Sequence, residues 1–419
     1  MRTTTLLRSG PVLWVAVVLL PLLLWTGEQN TRDTMQSWTA ATAASLMLLG
    51  YVSAACGACA AWESARLHRA RVADWAPVRG PLSVAALHLA PVAALGLLGV
   101  LTNLAVFAPE ALDTPGHPDP SVLLTAYAVV LAHIGVGWLV GPLMPGYLGA
   151  AAMLVGGYLW GFWPAALESP AFLRHLNGQG LDACCGLDQT TAPRSTAATL
   201  LFSVGLIAAA VVCTALGRKV RSAHLRYAAL PLALATAGAV ALALPLGYGG
   251  GVQARDRAER TCTDGPVAYC LWPEQEERRA DVLRWAKDAE RRLRAVGVTP
   301  AAEVEFGAVA PTEDQVRWIV GASPLPLSTP DCPSDSAAIP PAQVAYSTVY
   351  AWLSLTAGEP ADHLARRTIT EHVDAADRVR QSPVAQQRAW YAHNLRAIRD
   401  CSVRPSLDPA SFGTAGATP

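Results

Sequence analysis

The sequence predicts an all-α protein: a polytopic membrane helix bundle of about seven spans, followed by a mostly helical, disulfide-linked extracytoplasmic domain. Composition is the first reason, because 52% of the 419 residues are hydrophobic and only 15% are charged, which is unusual for a soluble protein of this size. The second reason is that residues 1–250 carry 13 Lys or Arg and 10 Asp or Glu, whereas residues 251–419 carry 19 and 22. The first part is therefore charge-poor, and the second has the composition of a soluble domain.

Seven apolar stretches within residues 1–250 predict spans, because about 20 apolar residues are needed to cross a bilayer as a helix. They are residues 11–25, 38–61, 81–107, 122–143, 146–166, 196–216 and 227–246. The first stretch is short, and Arg2 and Arg8 before it would also suit a secretory signal. No small-x-small cleavage site follows Trp25, so we favour a retained span.

Positive charges predict the orientation, because Lys and Arg are retained on the cytoplasmic side. With the N-terminus inside, ten Lys or Arg fall on inner segments and three on outer loops, and the outer loops carry eight acids. Seven spans then place the C-terminal domain outside the cell. We expect a multi-pass cell-membrane protein whose first partner is the lipid bilayer.

The predicted spans contain no Asp, Glu, Lys or Arg, which argues against an ion-coupled pump. Two histidines, His88 and His133, lie in the spans, and we expect each to hydrogen-bond a neighbour. Cys56 and Cys59 form a CxxC among Gly and Ala, where helix packing is the better interpretation than redox or zinc chemistry.

The inner loop after the second stretch, AAWESARLHRARVADWAPVRGP (residues 60–81), mixes apolar and basic residues and is closed by prolines. Such a pattern is typical of a short basic helix on the inner membrane surface. The alternative is an extension of the second span that carries positive anchoring residues, and composition alone favours that alternative.

The order of these features resembles a type-2 ABC-exporter permease of the kind found in actinobacteria. In that family a coupling helix between the second and third spans docks on a separate ATPase, and an outer loop with helical re-entry lies between the fifth and sixth spans. Residues 62–79, with a loose W-E-x-x-R-x-x-R pattern, correspond to the first feature, and residues 168–194 to the second. The resemblance covers roughly residues 1–220. It implies a coupling site for the ATPase partner at Trp62, Glu63, Arg66, Arg69 and Arg71.

Two departures from that family stand out. Its members usually stop at six spans with the C-terminus inside, whereas this chain adds a seventh stretch and a further domain. The chain also carries no sharply diagnostic motif of the family, so the coupling segment is the only site assigned from the resemblance. No GxxxxGK[ST] motif occurs, so nucleotide hydrolysis would belong to an ATP-binding cassette subunit, with a second permease half completing the assembly.

The C-terminal part begins with a Gly-rich, charged linker at residues 251–261, followed by a helical domain at 262–405 and a disordered tail at 406–419. Helices are predicted to open at Pro273 and to cover residues 341–356, 361–380 and 383–400, with loops and at most one short helix over 301–330. An exported domain permits disulfides. The four candidates, in pairings that sequence leaves open, are Cys262, Cys270, Cys332 and Cys401.

No catalytic, cofactor or metal site is predicted, and we expect the chain not to be an enzyme. HExxH and GxSxG are both missing, and the domain's histidines, His363, His372 and His393, lie on predicted helices as surface residues. The net charge is zero without a clustered basic face, which gives no indication of nucleic acid. The stretch CLWPE (270–274) is similar to one in exported domains of uncharacterised actinobacterial membrane proteins. The alternative function is therefore a membrane-anchored sensor or binding module that acts through this domain.

Overall fold

A computed structural model describes residues 10–30, 37–71, 80–145, 147–181, 185–216, 222–330 and 340–412. The chain divides into two compact units, Met1–Asp256 and Arg257–Pro419. We call them the membrane unit and the C-terminal unit. Within the described residues the secondary structure is mostly helical, as predicted, with two small sheets that the predicted fold class lacks.

Within the residues that the structure describes, seven long helices build the membrane unit. They are α1 (Val12–Asn30), α2 (Trp38–Arg69, with a 3-10 turn at Ser45–Leu48), α3 (Pro81–Phe107), α4 (Pro120–Leu143, ending in a 3-10 turn), α5 (Leu148–Ala166), α6 (Pro193–Leu216) and α7 (Ser222–Ala243). Proline begins α3, α4 and α6, which suits a first-turn position where no backbone N–H is needed.

Five of these helices, α1 to α4 and α6, are long and apolar enough to cross a membrane. Helices α5 and α7 occupy the fifth and seventh predicted stretches without meeting both criteria. Helix α5 is long enough, but its Gly, Tyr and Trp residues and Pro164 lower its mean hydropathy. In α7 the apolar part, Ala229–Ala243, is too short. Several apolar helices thus indicate a membrane protein, with five candidate spans where seven were predicted.

Helix α2 lies at the centre of the membrane unit, since 83% of its most apolar window is buried, against 22% for α1. It meets α4 through small residues: Gly137 and Gly141 of α4 face Gly57 and Ala61 of α2. A Cβ added to Gly137 would lie 3.0 Å from the Gly57 carbonyl carbon and closer still to its oxygen. The two backbones therefore touch directly, as small residues allow in membrane helices.

A two-stranded antiparallel sheet closes the membrane unit. Strand β1 (Gln189–Thr191), just before α6, pairs with β2 (Val252–Ala254), after α7, in the register Gln189↔Ala254 and Thr191↔Val252. The predicted linker at residues 251–261 therefore includes a paired strand, and the boundary between the units falls after Asp256.

The C-terminal unit combines helices with a three-stranded sheet. Its elements are β3 (Thr261–Cys262), β4 (Ala268–Leu271), a 3-10 turn (Pro273–Arg278), α8 (Arg279–Ala295), β5 (Glu303–Glu305), α9 (Glu313–Ala322), α10 (Pro341–Ala357), a short helix (Ala361–Leu364), α11 (Thr370–Arg380) and α12 (Val384–Arg399). In the sheet, β4 pairs antiparallel with β3 and parallel with β5. The core holds fully buried aromatic side chains that include Tyr269, Phe306, Trp352 and Trp390.

The predicted helices of this unit are present, with two differences. The predicted helix 361–380 is interrupted between Leu364 and Thr370, and residues 301–330 hold a strand, β5, beside the single short helix α9. Residues 406–412, predicted to be disordered, pack against α12: Asn394 Nδ2 donates to Ser406 O at 2.8 Å and Trp390 Nε1 to Leu407 O at 3.2 Å. The rest of the predicted tail, 413–419, lies outside the described residues.

Candidate functional site

The residues predicted to couple to an ATPase lie at the C-terminal end of α2. Residues 62–69 continue the helix of the second apolar stretch, as the extension interpretation requires, and Arg71 follows it in a turn with φ of 50°. Residues 72–79 lie outside the described part of the chain. Trp62 is 39% exposed, which leaves its indole at the surface of the bundle.

Glu63 is the buried residue of this group, with 3% exposure. Arg66, about one-third exposed, bonds its carboxylate at 2.6 Å, and His88 Nδ1 of α3 lies 3.8 Å away. Next to Glu63, Ser64 Oγ donates to Trp138 O of α4 at 2.7 Å. The sequence-based search for intramembrane charge missed Glu63, because the predicted span ended at residue 61 whereas the helix continues.

Arg69 borders a depression of about 210 Å³ at this end of the bundle, formed with Ala65, His68 and the turn at residues 141–145. His68 and Arg69 thus line an open recess, whereas Arg66 is bonded to Glu63. We call Trp62 to Arg71 the basic end of α2.

A polar segment between α5 and α6, residues 171–181, is buried within the membrane unit. Arg174, His175, Asn177 and Gln179 are each at most 3% exposed. Asn177 Nδ2 donates to Trp160 O at 2.8 Å, Asn177 Oδ1 accepts from Gln179 N at 2.9 Å, and Gln179 Nε2 donates to Leu46 O of α2 at 2.8 Å. We call this segment the connecting segment; its polar side chains are buried because they hydrogen-bond backbone groups of α2, of α5 and of the segment itself.

Two glycines allow this arrangement. Gly178 adopts φ of 90°, a conformation that favours glycine. A Cβ on Gly180 would lie 2.8 Å from Ser195 Oγ and closer still to His175 Nδ1. The run Arg174 to Gly180 is the sequence signal for the segment: hydrogen-bonding side chains interrupted by glycine between two apolar stretches.

His175 is fully buried and bonded at both ring nitrogens. Nδ1 lies 2.8 Å from Ser195 Oγ, and Nε2 lies 3.1 Å from Gly247 O. A carbonyl can only accept, so Nε2 carries the proton and the serine hydroxyl donates to Nδ1. Burial lowers the pKa of His175, the bond to Gly247 raises it and Arg174 lowers it again, with a net lowering. The ring is therefore held neutral.

This Ser–His pair is closely packed by its neighbours. The adjoining cavity, lined by residues that include Gly178, Gly180 and Thr196, has a volume of about 10 Å³, close to the minimum for one water molecule. The third group in the chain of hydrogen bonds is a backbone carbonyl rather than a carboxylate. The pair therefore joins the connecting segment to α6 and to the residues after α7.

In the C-terminal unit, a buried carboxylate organises a second polar cluster. Glu359 Oε1 accepts from His363 Nδ1 at 2.8 Å and from Arg367. The Arg367 guanidinium lies 4.6 Å above the Trp318 ring and donates to the Tyr350 hydroxyl at 3.2 Å. Burial raises the pKa of Tyr350 to about 12.

This cluster is asymmetric in exposure. The Glu359 side chain is 0% exposed, whereas those of His363 and Arg367 are 30% and 31% exposed. Glu359 Oε2 is buried and has no hydrogen-bond partner among the described residues. The cluster therefore presents two cationic or potentially cationic groups at the surface above a buried negative charge.

The other singled-out residues have local partners. His133 Nδ1 lies 2.8 Å from Val129 O, His372 Nδ1 lies 2.9 Å from Thr348 Oγ1, and His393 Nε2 lies 2.9 Å from Arg404 O. No group of three or more His, Cys, Asp or Glu residues that could hold a metal ion occurs in the described part of the chain.

The cysteines fall into two groups. Cys56 and Cys59 are free and buried, and Cys213 is free. Cys262 and Cys270 form a disulfide across β3 and β4. Cys185 of the membrane unit and Cys401 of the C-terminal unit each take part in a disulfide. Cys332 lies outside the described residues.

The five long apolar helices and the separate C-terminal unit indicate a membrane protein with an additional folded domain. The sequence of that domain is similar to a known family: a domain of unknown function, DUF7224, matches residues 269–401. The match lies within the C-terminal unit and contains the CLWPE stretch. No curated protein matches the chain. No solved structure matches it.

Proposed function

We propose that this chain is a membrane subunit of the ABC-exporter permease type, which moves a substrate with energy from a separate ATPase. One observation carries the proposal: the buried connecting segment between the fifth and sixth apolar helices. It bonds Leu46 near the start of α2, whereas the basic end of the same helix begins 16 residues later, roughly 24 Å along the helix axis. The resembled family has the same arrangement, with a re-entrant segment at one end of the bundle and basic residues at the other.

In this proposal all seven long helices span the membrane. The basic end of α2 then lies on the cytoplasmic side, in line with the ten inner positive charges, and the C-terminal unit lies outside the cell. The disulfides support this location, because disulfides persist outside the reducing cytosol.

Arg69 and Arg71 are the best candidates for contact with the ATPase. Arg66 has a partner in Glu63, whose burial makes that pair part of the helix packing. Charge reversal at Arg66 would place two acids against each other in a buried position, and loss of partner binding would then report misfolding. Arg69 and Arg71 allow the two effects to be separated.

The test is purification of the full chain in mild detergent, followed by mass spectrometry of the proteins that stay bound. We expect an ATP-binding subunit with the natural chain and its loss from Arg69→Glu/Arg71→Glu. The matched control is Arg284→Glu/Arg291→Glu, since both arginines are highly exposed on α8 of the C-terminal unit. Recovery of no ATPase with the natural chain, or equal recovery with both variants, would refute the proposal.

A second candidate, a membrane-anchored binding module, is favoured by the Glu359 cluster. Its Arg367 guanidinium is stacked on Trp318 and partly exposed, an arrangement suited to an anionic group on a partner. In the same purification this candidate predicts bound envelope proteins that Arg367→Gln releases and that Arg69→Glu/Arg71→Glu retains.

A further inference from the structure

A groove opens on the side of the membrane unit between α3, α4 and α6. It is lined by residues of α3 between Leu82 and Ala93, of α4 between Leu131 and Trp138, and of α6 between Ile207 and Thr214. Its volume is about 320 Å³. We call it the lateral groove.

The lateral groove is confined to one half of the bundle. It uses the first half of α3 and the second halves of α4 and α6, and this is the half that contains Glu63 and its neighbour His88. At its floor α4 and α6 meet closely, since a Cβ on Gly135 would lie 2.9 Å from Ala210 Cβ. If α3, α4 and α6 span the bilayer, the groove opens to a single leaflet.

Among the residues that the structure describes, the lining offers apolar contact and carries no charged side chain. Its polar groups are the Trp138 indole and the Thr214 hydroxyl, and that hydroxyl already donates to Ala210 O at 2.7 Å. Small side chains on α3, including Ala86 and Ala90, leave the groove open. The occupant that this surface recognises is therefore a hydrocarbon.

The dimensions select a slender occupant. The stretches of helix that line the groove are 8 to 12 residues long, which is roughly 12–18 Å along a helix. A helix of that length and of about 10–12 Å diameter would occupy on the order of 1,000 Å³ or more, well above the volume of the groove. A hydrocarbon chain whose neighbours stand about 4 Å from it would need roughly 200–300 Å³.

We infer that the lateral groove binds one alkyl chain of a membrane lipid, from the leaflet on the side of the basic end of α2. The inference depends on α3, α4 and α6 being embedded in the membrane, and it is independent of the proposed ATPase. Failure to recover an ATPase would therefore leave it intact.

The test uses the full chain in lipid nanodiscs that contain phosphatidylcholine with a diazirine near the middle of one acyl chain. After photolysis, mass spectrometry maps the residues that carry lipid. We expect cross-links concentrated in residues 82–93, 131–138 and 207–214, above the level at Leu97 and Leu101, which are exposed on the same α3 outside the groove.

Ala90→Phe fills the groove from an exposed position and should lower these cross-links about tenfold, which corresponds to about 1.4 kcal/mol of binding free energy. Ala94→Phe is the matched control, because Ala94 is exposed on α3 and does not line the groove. If Ala90→Phe does not fold, Ala86→Phe gives the same test.

Three results would overturn the inference. The first is an even spread of cross-links along α3, the mark of ordinary lipid contact. The second is an equal effect of Ala90→Phe and Ala94→Phe. The third is a loss of cross-links at the groove residues while cross-links at Leu97 remain, which would show that a second copy or a partner helix covers the groove.

Discussion

The contact between α2 and α4 is tight enough that one methyl group should loosen the membrane unit. In Gly137→Ala the new Cβ would lie 3.0 Å from the Gly57 carbonyl carbon and 3.2 Å from Gly57 Cα, with the oxygen closer still. Ordinary contact begins near 3.4 Å, so the backbones must separate by at least 0.4 Å. A gap of about 0.5–1 Å forfeits a quarter to a half of the dispersion energy of each contact.

Because the obstructing atoms are backbone and cannot rotate away, we expect a cost of about 2 kcal/mol, within the usual range for overpacking. Gly156→Ala is the control. It lies on α5 with no atom within 4 Å of its added Cβ, and it should be neutral or slightly stabilising through helix propensity.

Two buried free thiols provide the assay, since Cys56 and Cys59 flank Gly57. A maleimide dye that fluoresces on reaction with thiols reports their exposure on heating, in a Cys213→Ser background. A cost of about 2 kcal/mol should lower the midpoint by about 4–8 °C for a unit of this size. Equal midpoints for Gly137→Ala and Gly156→Ala would refute the close-approach argument.

Three further predictions concern the polar clusters and the disulfide. Burial lowers the pKa of His175 from 6.5, so below pH 6.5 the unfolded chain binds a proton more readily than the folded chain does, and the stability of the fold decreases as the pH falls. Hydrogen exchange in residues 171–181, corrected for intrinsic rates, should therefore be faster at pH 5 than at pH 7, and His175→Gln should not show this difference. Arg367→Gln leaves the buried Glu359 carboxylate with His363 alone and should cost about 2 kcal/mol, against about 1 kcal/mol for Glu359→Gln, measured by hydrogen exchange in α10 of the intact protein; equal costs would contradict this asymmetry. Replacing Cys262 and Cys270 by Ser releases a short loop and should cost about 2–3 kcal/mol of unfolding free energy in the C-terminal unit, whereas Cys213→Ser should cost nothing there.

Local chemistry made the helices predictable. Apolar runs of bilayer length, with proline at the first turn, place α3, α4 and α6 within a few residues. In the C-terminal unit, Pro341 begins α10 and Gly297, with φ of 81°, follows α8. These signals act over a single turn of helix, so one sequence is sufficient to recognise them.

Contacts between residues that are far apart in the sequence could not be predicted. The pairing of β1 with β2 joins residues about 60 positions apart, and neither strand exceeds three residues, too short for an alternating pattern. The burial of Glu359 depends on Arg367 and Trp318, which tertiary packing brings to it. Polarity alone would place such a carboxylate at the surface.

The candidate site was predictable in part. The basic residues from Arg66 to Arg71 stand out in sequence, whereas the burial of Glu63, one turn before Arg66, depends on tertiary packing that includes His88 of α3. In the connecting segment the polar run and its glycines are visible, yet a surface loop would show the same composition. The lateral groove has no sequence signal, because its lining comes from three helices that are separate in the chain.

Strand β2 also determines where the chain can safely be divided. A soluble fragment beginning at residue 252 would keep Val252–Ala254 and lose its partner β1, leaving an unpaired strand edge available to other molecules. Such a fragment could self-associate, and the self-association could be mistaken for recognition of a ligand. A fragment beginning at Arg257 leaves β2 with β1, its partner strand in the membrane unit, and avoids the artefact.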